Sequence, residues 1–168
     1  VALRANSNSV PAGTYPIALH GWTFLAGRDN FEVVLTTTQP ELAEDLAALV
    51  DIASDAPLAT PATASSGLDD QHYDQWLDAR AIHIEATRTH VHSQLASLTT
   101  THHARVALLE DQIANATHEN IRRMRESELR SVEDDFSTRR AELEQSIERS
   151  DLTAALLFSG TIEVVNGE

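Results

Sequence analysis

Histidines and carboxylates are the side chains of this chain that could support a metal site or acid–base catalysis. The 168 residues include eight His and 26 Asp or Glu, but no Cys. The absence of Cys excludes disulfides, thiolate zinc sites and thiol nucleophiles. His90 and His92 are two residues apart and His102 and His103 are adjacent, and on a helix neither spacing places both rings on one face. No His-x-x-x-His pair occurs. The sequence therefore predicts neither a metal site nor a bound cofactor.

Acidic pairs and hydroxyl side chains give no better support for catalysis. Asp69-Asp70 and Asp134-Asp135 fall in charge-rich helical sequence, where nothing indicates a pocket that would shift a carboxyl pKa. No G-x-S-x-G motif is present for a nucleophilic serine. The chain has no Lys, which excludes the phosphate-binding loop G-x-x-x-x-G-K-[ST]. We therefore predict that the chain has no catalytic residues and is not an enzyme.

One cluster of basic residues stands out within an acidic chain. The formal net charge of −14 repels a phosphate backbone and disfavours nonspecific nucleic-acid binding. Helical spacing places Arg123 and Arg130 on one face and makes neighbours of Arg122 and Arg125. Glu residues interleave with these arginines and cancel much of their field. The arginine cluster, composed of Arg122, Arg123, Arg125 and Arg130, is the candidate contact site for nucleic acid or for an acidic partner surface.

The elements that position these residues begin with a β-hairpin. Residues 14–25 and 31–38 are rich in aromatic and β-branched side chains and flank the turn-forming sequence Gly27-Arg28-Asp29-Asn30. The alternation of apolar and polar residues slips by one near Gly21, which predicts a β-bulge at that position. These two strands form the predicted start of a small head domain over residues 1–55.

Three further segments complete the expected head and its connection. Residues 1–13 contain Asn, Ser and Gly and are predicted to be frayed. Pro40 opens a short helix over residues 40–53, because its missing N–H has no helical partner in a first turn. Residues 56–67 are rich in Pro and small side chains and predict a linker.

A long helical hairpin is predicted over residues 68–150. This stretch contains neither Pro nor Gly, which is typical of helices of unusual length. Apolar residues recur near a heptad period over 84–113 and again over 121–147. The segment 115–117 separates the two series, and Thr117 is the predicted N-cap of the second helix. The pattern therefore predicts an antiparallel coiled-coil hairpin with its turn at 115–117.

The last segment, residues 151–168, is predicted to return to the head. Residues 152–158 favour a short helical turn, and Thr161–Val165 favours a strand. A lone strand leaves backbone donors and acceptors unpaired, so it is expected to pair with the N-terminal hairpin. The predicted fold class is α+β: a small head of β-hairpin, short helix and C-terminal strand, with a long antiparallel helical hairpin as a coiled-coil arm.

Three motifs stand in an order that carries a resemblance to a known family. They are Ile121–Glu126 (IRRMRE) with Glu128, then Arg139–Glu144 (RRAELE), then the strand Thr161–Val165. This arrangement resembles the C-terminal region of bacterial Swi/Snf-related helicases, the RapA-like superfamily-two group. The sequences YPIALHGW and FEVVLTTT also resemble a hairpin that precedes the coiled coil in such proteins. The resemblance implies a parent protein with an ATP-driven nucleic-acid motor, none of whose ATPase residues has a counterpart in this chain.

The expected function follows from the missing catalytic residues and from this resemblance. We expect a non-catalytic C-terminal accessory and interaction region of a helicase-like motor, excised from a longer chain because it opens on Val1 and not on Met. A stand-alone coiled-coil structural or adaptor protein is the alternative, and a small nucleic-acid-binding module is a second. The expected partners are the rest of the parent protein and, through it, nucleic acid, and the oligomeric state is left open.

The expected location is the cytoplasm, away from membranes. Apolar runs such as Ala154–Phe158 are far shorter than the ~20 residues that span a bilayer. The absence of Cys fits a reducing compartment.

Overall fold

A computed structural model describes residues 2–26, 30–56 and 66–165 of the chain. The chain divides into two compact units. The sheet unit comprises Val1–Ala81 and Asp151–Glu168, and the hairpin unit comprises Ile82–Ser150. The predicted α+β fold class is confirmed, with a small sheet in one unit and an antiparallel pair of long helices.

Five strands form the sheet of the sheet unit: β1 Ala2–Asn6, β2 Gly13–Leu25, β3 Asn30–Thr37, β4 Ser54–Ala56 and β5 Asp151–Val165. Their order across the sheet is β3-β2-β5-β1-β4. Strand β2 pairs antiparallel with both β3 and β5, as the predicted hairpin and return strand require. Strand β5 also pairs parallel with β1, which in turn pairs antiparallel with β4.

The C-terminal strand closes the core in the way the sequence predicts. Tyr15 of β2 lies opposite Ile162 of β5. Ile162 and Val164 are buried in one apolar cluster with Leu46 and Leu49 of the short helix. A β-hairpin of two strands alone is only marginally stable in water. Strand β5 adds a third strand to the β2–β3 hairpin, and the short helix covers the apolar face that results.

Strand β5 is longer than predicted, and the short helix expected over residues 152–158 is wrong. The whole of Asp151–Val165 is one strand, paired with β2 from Leu25 down to Gly13. The sequence TAALLF has ordinary helix propensity, which amounts to a few tenths of a kcal/mol per residue. A ladder of hydrogen bonds to a distant strand outweighs that preference.

Residues 2–13 are not frayed, so the expectation of a frayed N-terminal segment is wrong for the described residues. Strand β1, Ala2–Asn6, lies between β5 and β4 and makes hydrogen bonds to both. Ala5 and Val10 are buried in the core cluster. The polar Asn and Ser residues of this segment occupy its exposed positions and the turn that follows β1, so composition alone suggested too little order.

The predicted bulge belongs to β5 and not to Gly21. Pairing of β2 with β3 continues without a shift through Gly21, which lies opposite Val33. The register of β2 with β5 shifts between Leu19 and His20, which leaves Leu157 as the extra residue of β5. The slip in the sequence pattern of β2 therefore has another cause.

That cause is a change in which face of β2 is covered. Tyr15 and Ile17 lie on one face and are buried in the core beside the short helix. His20 and Trp22 lie on the opposite face by alternation, and they are buried against His72 of the second helix. Each half of the strand is thus apolar on a different side.

The remaining elements follow the predicted order with small differences in their bounds. A 3-10 turn at Pro40–Leu42 leads into α1, Ala43–Val50, where one helix over 40–53 was predicted. Helix α2 is Ser66–Ala114, and α3 is Glu119–Glu148. Most of the predicted linker 56–67 and residues 27–29 of the predicted turn lie outside the described residues. The boundary between the two compact units falls within α2, after Ala81.

The helical hairpin of the hairpin unit is confirmed. Helices α2 and α3 are separated by residues 115–118 and pack antiparallel, with Arg105 of α2 bonded to Glu128 of α3. The N-cap of α3 is His118 and not the predicted Thr117, and its side chain makes no capping hydrogen bond. The seam is thin, since its buried apolar side chains among the described residues are Val91, Leu109 and Leu143.

Candidate functional site

The arginine cluster lies at the start of α3, where acidic side chains already engage most of it. Arg122 and Arg123 both pair with Glu119, with N–O distances of 3.8 and 3.1 Å. Arg125 pairs with Glu128 at 2.6 Å. Arg130 is exposed on the same helix. A phosphate or carboxylate approaching the cluster would therefore compete with carboxylates that are already in place.

Glu128 connects the cluster to the other helix of the hairpin. It accepts hydrogen bonds from Arg125 on its own helix and from Arg105 on α2. These two guanidinium groups, Arg125 first, lower the pKa of Glu128 below its ordinary value. This part of the cluster therefore joins the two helices, and the contact of the cluster with an outside partner stays a prediction.

Two grooves run along the middle of the hairpin unit. One of about 400 Å³ is bordered by His90, Gln94 and Leu143, and one of about 350 Å³ by His102, Val132 and Phe136. The ring of His102 stacks on Phe136 with centroids 3.9 Å apart. Helix α2 is rich in Ser and Thr over this stretch, so small side chains leave the space between the helices incompletely filled.

A second group of functional interest lies in the sheet unit. The imidazole rings of His20 on β2 and His72 on α2 are stacked, with centroids 3.3 Å apart and planes 10° from parallel. The indole Nε1–H of Trp22 donates a hydrogen bond of 2.9 Å to Nε2 of His72. His20 is 6% exposed and His72 is 9% exposed. We call His20, His72 and Trp22 the histidine stack.

Burial sets the protonation state of the histidine stack. Desolvation lowers the pKa of His20, and the nearby Asp69 carboxylate opposes that change. Desolvation also lowers the pKa of His72, with a further decrease caused by His20 and an opposing effect of Asp69. Both rings are therefore held neutral at neutral pH.

Sequence reasoning missed the histidine stack because its two histidines are far apart along the chain and belong to different kinds of element. A signal was nevertheless present at the start of α2, where one side chain in every four faces the sheet. Leu68 is buried, Trp76 donates to the carbonyl of Leu152, and Arg80 pairs with Asp151. His72 is the fourth member of this stripe, which marks the first turns of α2 as packed rather than solvated.

The acid pairs singled out from the sequence are on exposed helix surface, at Asp69-Asp70 and Asp134-Asp135. Within the described ranges, no three His, Asp or Glu side chains come together in a way that could hold a metal ion. None of the described helices is both long enough and apolar enough to cross a membrane. Comparison of the chain with protein-family models, with curated proteins and with solved structures gives no match.

Proposed function

We propose that this chain is a non-catalytic accessory and interaction region of a helicase-like, ATP-driven nucleic-acid motor protein. The observation that carries the proposal is the insertion of a helical hairpin into a sheet domain. The hairpin unit, Ile82–Ser150, interrupts the sheet unit in the chain, and the strand that follows it, β5, lies between β2 and β1. Both ends of the hairpin therefore continue into elements of the folded sheet unit.

The surface of the hairpin unit supports an interaction role. Its apolar seam is thin, and grooves of about 400 and 350 Å³ remain between the helices. Leu108, Ile121 and Met124, close to the turn in sequence, are 51%, 45% and 54% exposed. Exposed apolar side chains and grooves along a helix pair are features through which such hairpins bind partner helices.

The motifs that resemble the helicase C-terminal region occupy elements of the expected kind. Ile121–Glu126 lies in the first turns of α3 and Arg139–Glu144 in its second half. Thr161–Val165 is the end of β5, where it pairs with both β1 and β2. The order of a helix-opening motif, a second helical motif and a closing strand supports the assignment to a motor protein of this kind.

The reading frame that encodes the chain gives the first test. A helicase-like parent requires an upstream phosphate-binding loop and an Asp-Glu box in the same frame. If neither is present, the motor proposal is wrong, and the stand-alone coiled-coil adaptor takes its place. The nucleic-acid-binding module is the weaker alternative, because the net charge is −14 and Arg122, Arg123 and Arg125 are ion-paired.

The second test uses the complete parent protein with single charge reversals in the hairpin unit. Arg123→Glu changes the arginine cluster, and Arg88→Glu is the matched control, since both arginines are exposed and paired with a nearby Glu. Basal ATP hydrolysis should be unchanged in both variants, because this region supplies no catalytic residue. Stimulation by nucleic acid or by a bound partner should fall only in Arg123→Glu. Loss of basal hydrolysis in a folded variant would contradict the proposal.

A further inference from the structure

We propose that the histidine stack is a pH-sensitive latch that holds the first turns of α2 on the sheet. Both sides of the latch belong to the sheet unit, with His20 and Trp22 on β2 and His72 on α2. The latch is closed while both imidazoles are neutral and opens when the pair takes up a proton. This role is independent of the proposed function.

The hydrogen bond from Trp22 explains why a proton opens the latch. Nε2 of His72 accepts the indole N–H, so in neutral His72 this nitrogen carries no proton and Nδ1 carries the single one. A second proton on His72 must therefore go to Nε2. The acceptor then becomes a donor facing another donor, and the hydrogen bond is lost.

The stacked geometry adds to this effect at His20. A proton on either ring places a positive charge 3.3 Å, centroid to centroid, from a second ring that is also buried. Nδ1 of His20 is buried and has no hydrogen-bond partner among the described residues, so a cation there would not be compensated by an acceptor. The neutral pair is therefore compatible with docking of α2, and the protonated pair is not.

The nearest carboxylate to the stack opposes the neutral form of its two imidazoles. Asp69, on α2 itself, is the carboxylate that stabilises a positive charge on both rings. On β3, Glu32 lies opposite Trp22 in the ladder. On β5, Asp151 is paired with Arg80 of α2. Asp69 therefore sets how acidic the solution must become before the latch opens.

The direction of the pH dependence follows from the lowered pKa values. A histidine whose pKa is lower when docked than when released binds fewer protons in the docked state. Docking is then fully favoured above about pH 6.5, the ordinary histidine value. Docking weakens as the pH falls below that value. For each unit by which docking lowers the pKa of one ring, the equilibrium constant for docking decreases by about tenfold at acid pH.

The experiment is a pH titration of the intact chain by NMR and hydrogen exchange. The ring nitrogens of His20 and His72 should titrate below pH 6.5, with Nδ1–H as the neutral tautomer of His72. The Trp22 indole resonance should shift over the same range, and amides 68–76 should exchange faster at the acid end than at neutral pH after correction for intrinsic rates. Ordinary titration of both rings, with unchanged exchange over 68–76, would overturn the latch.

Two pairs of variants separate the latch from a general acid effect. Asp69→Asn should move the transition to lower pH, and Asp70→Asn, which changes the neighbouring exposed carboxylate, should leave it in place. His72→Gln keeps an acceptor for Trp22 that does not titrate, so the shift of the Trp22 indole should disappear, while His103→Gln should preserve it. A shift of the Trp22 indole that persists unchanged in folded His72→Gln would contradict the proposal. If His72→Gln does not fold, the Asp69 and Asp70 variants decide the outcome.

Discussion

Gly21 lies beneath the aromatic ring of Phe31, on the face of the sheet that also carries Tyr15 and Ile17. A Cβ added to Gly21 would be 2.7 Å from Cε2 of Phe31 and 3.3 Å from Cδ1 of Leu157. Phe31 and Leu157 are 58% and 55% exposed, so their side chains cover the glycine backbone on the outside of the sheet. The absence of a side chain at Gly21 therefore leaves room for the ring of Phe31 to approach the backbone of β2 closely.

The first prediction concerns this contact. Gly21→Ala should destabilise the sheet unit by about 1–2 kcal/mol, because the ring of Phe31 must move away from its place over β2. Gly67→Ala is the control, since a Cβ there meets nothing within 4 Å and Ala is the better helix former. Urea unfolding followed by circular dichroism would measure both. If Gly21→Ala left the free energy of unfolding unchanged, the ring of Phe31 would be able to move without destabilising the sheet unit.

The second prediction concerns the thin seam of the hairpin unit. Leu109 is 1% exposed, whereas its neighbour Leu108 is 51% exposed. Leu109→Ala should destabilise the hairpin by about 2–4 kcal/mol, because it removes buried methyl groups and leaves a cavity. Leu108→Ala should change the stability by no more than about 0.5 kcal/mol. Thermal unfolding monitored by helical circular dichroism compares the two directly, and similar losses would place the seam elsewhere.

Leu108 and Leu109 lie in a part of the chain whose helical structure could be predicted from local sequence. The near-heptad series predicted the two helices and their turn, since the periodicity of a helix is carried by residues close together in the chain. Leu109 belongs to the first of these series, over residues 84–113. The N-cap was misplaced by one residue, at Thr117 instead of His118. Local patterns define an element more reliably than they define its ends.

Pairing between distant segments accounts for what the sequence did not predict. Ala2–Asn6 and residues 152–158 become strands because β5 lies beside both β1 and β2, and neither segment carries a strong pattern of its own. The histidine stack is a similar case, because β2 supplies His20 and α2 supplies His72. The arginine cluster was visible as a motif, but its ion pairs with Glu119 and Glu128 required knowledge of rotamers and of the second helix.

The third prediction concerns the pH dependence of the link between the two helices. The pKa of Glu128 is lowered by hydrogen bonds from Arg125 and Arg105, so the folded state binds a proton less readily than the unfolded state. The contribution of Glu128 is thus fully present above its ordinary pKa of 4.5 and is lost as the pH falls through the lower folded value. Glu128→Gln should flatten the acid limb of the stability curve, and Glu126→Gln should not. If the stability of Glu128→Gln and of the unsubstituted chain fell equally with decreasing pH, this link between the helices would be wrong.

The last prediction concerns the strand that closes the sheet. Ile162 is fully buried, at 0% exposure, in the cluster that contains Leu46, and it lies opposite Tyr15 of β2 and Leu3 of β1. Ile162→Ala should therefore destabilise the sheet unit by about 2–5 kcal/mol, the usual effect of truncating a fully buried aliphatic side chain. Leu157 provides the control within the same strand, because it is the exposed extra residue of the bulge.

Hydrogen exchange across residues 14–37 is the measurement that identifies where the effect arises. In Ile162→Ala, protection should fall throughout β2 and β3, since both strands share the core that β5 closes. Protection along α3 should stay close to that of the unsubstituted chain, because the buried side chains of Leu143 and Leu109 belong to the hairpin unit and not to the core of the sheet. Leu157→Ala should leave both regions unchanged. If Ile162→Ala lowered protection in α3 as much as in β2, the two units would unfold as one cooperative body, and the separate core assigned to the sheet would be wrong.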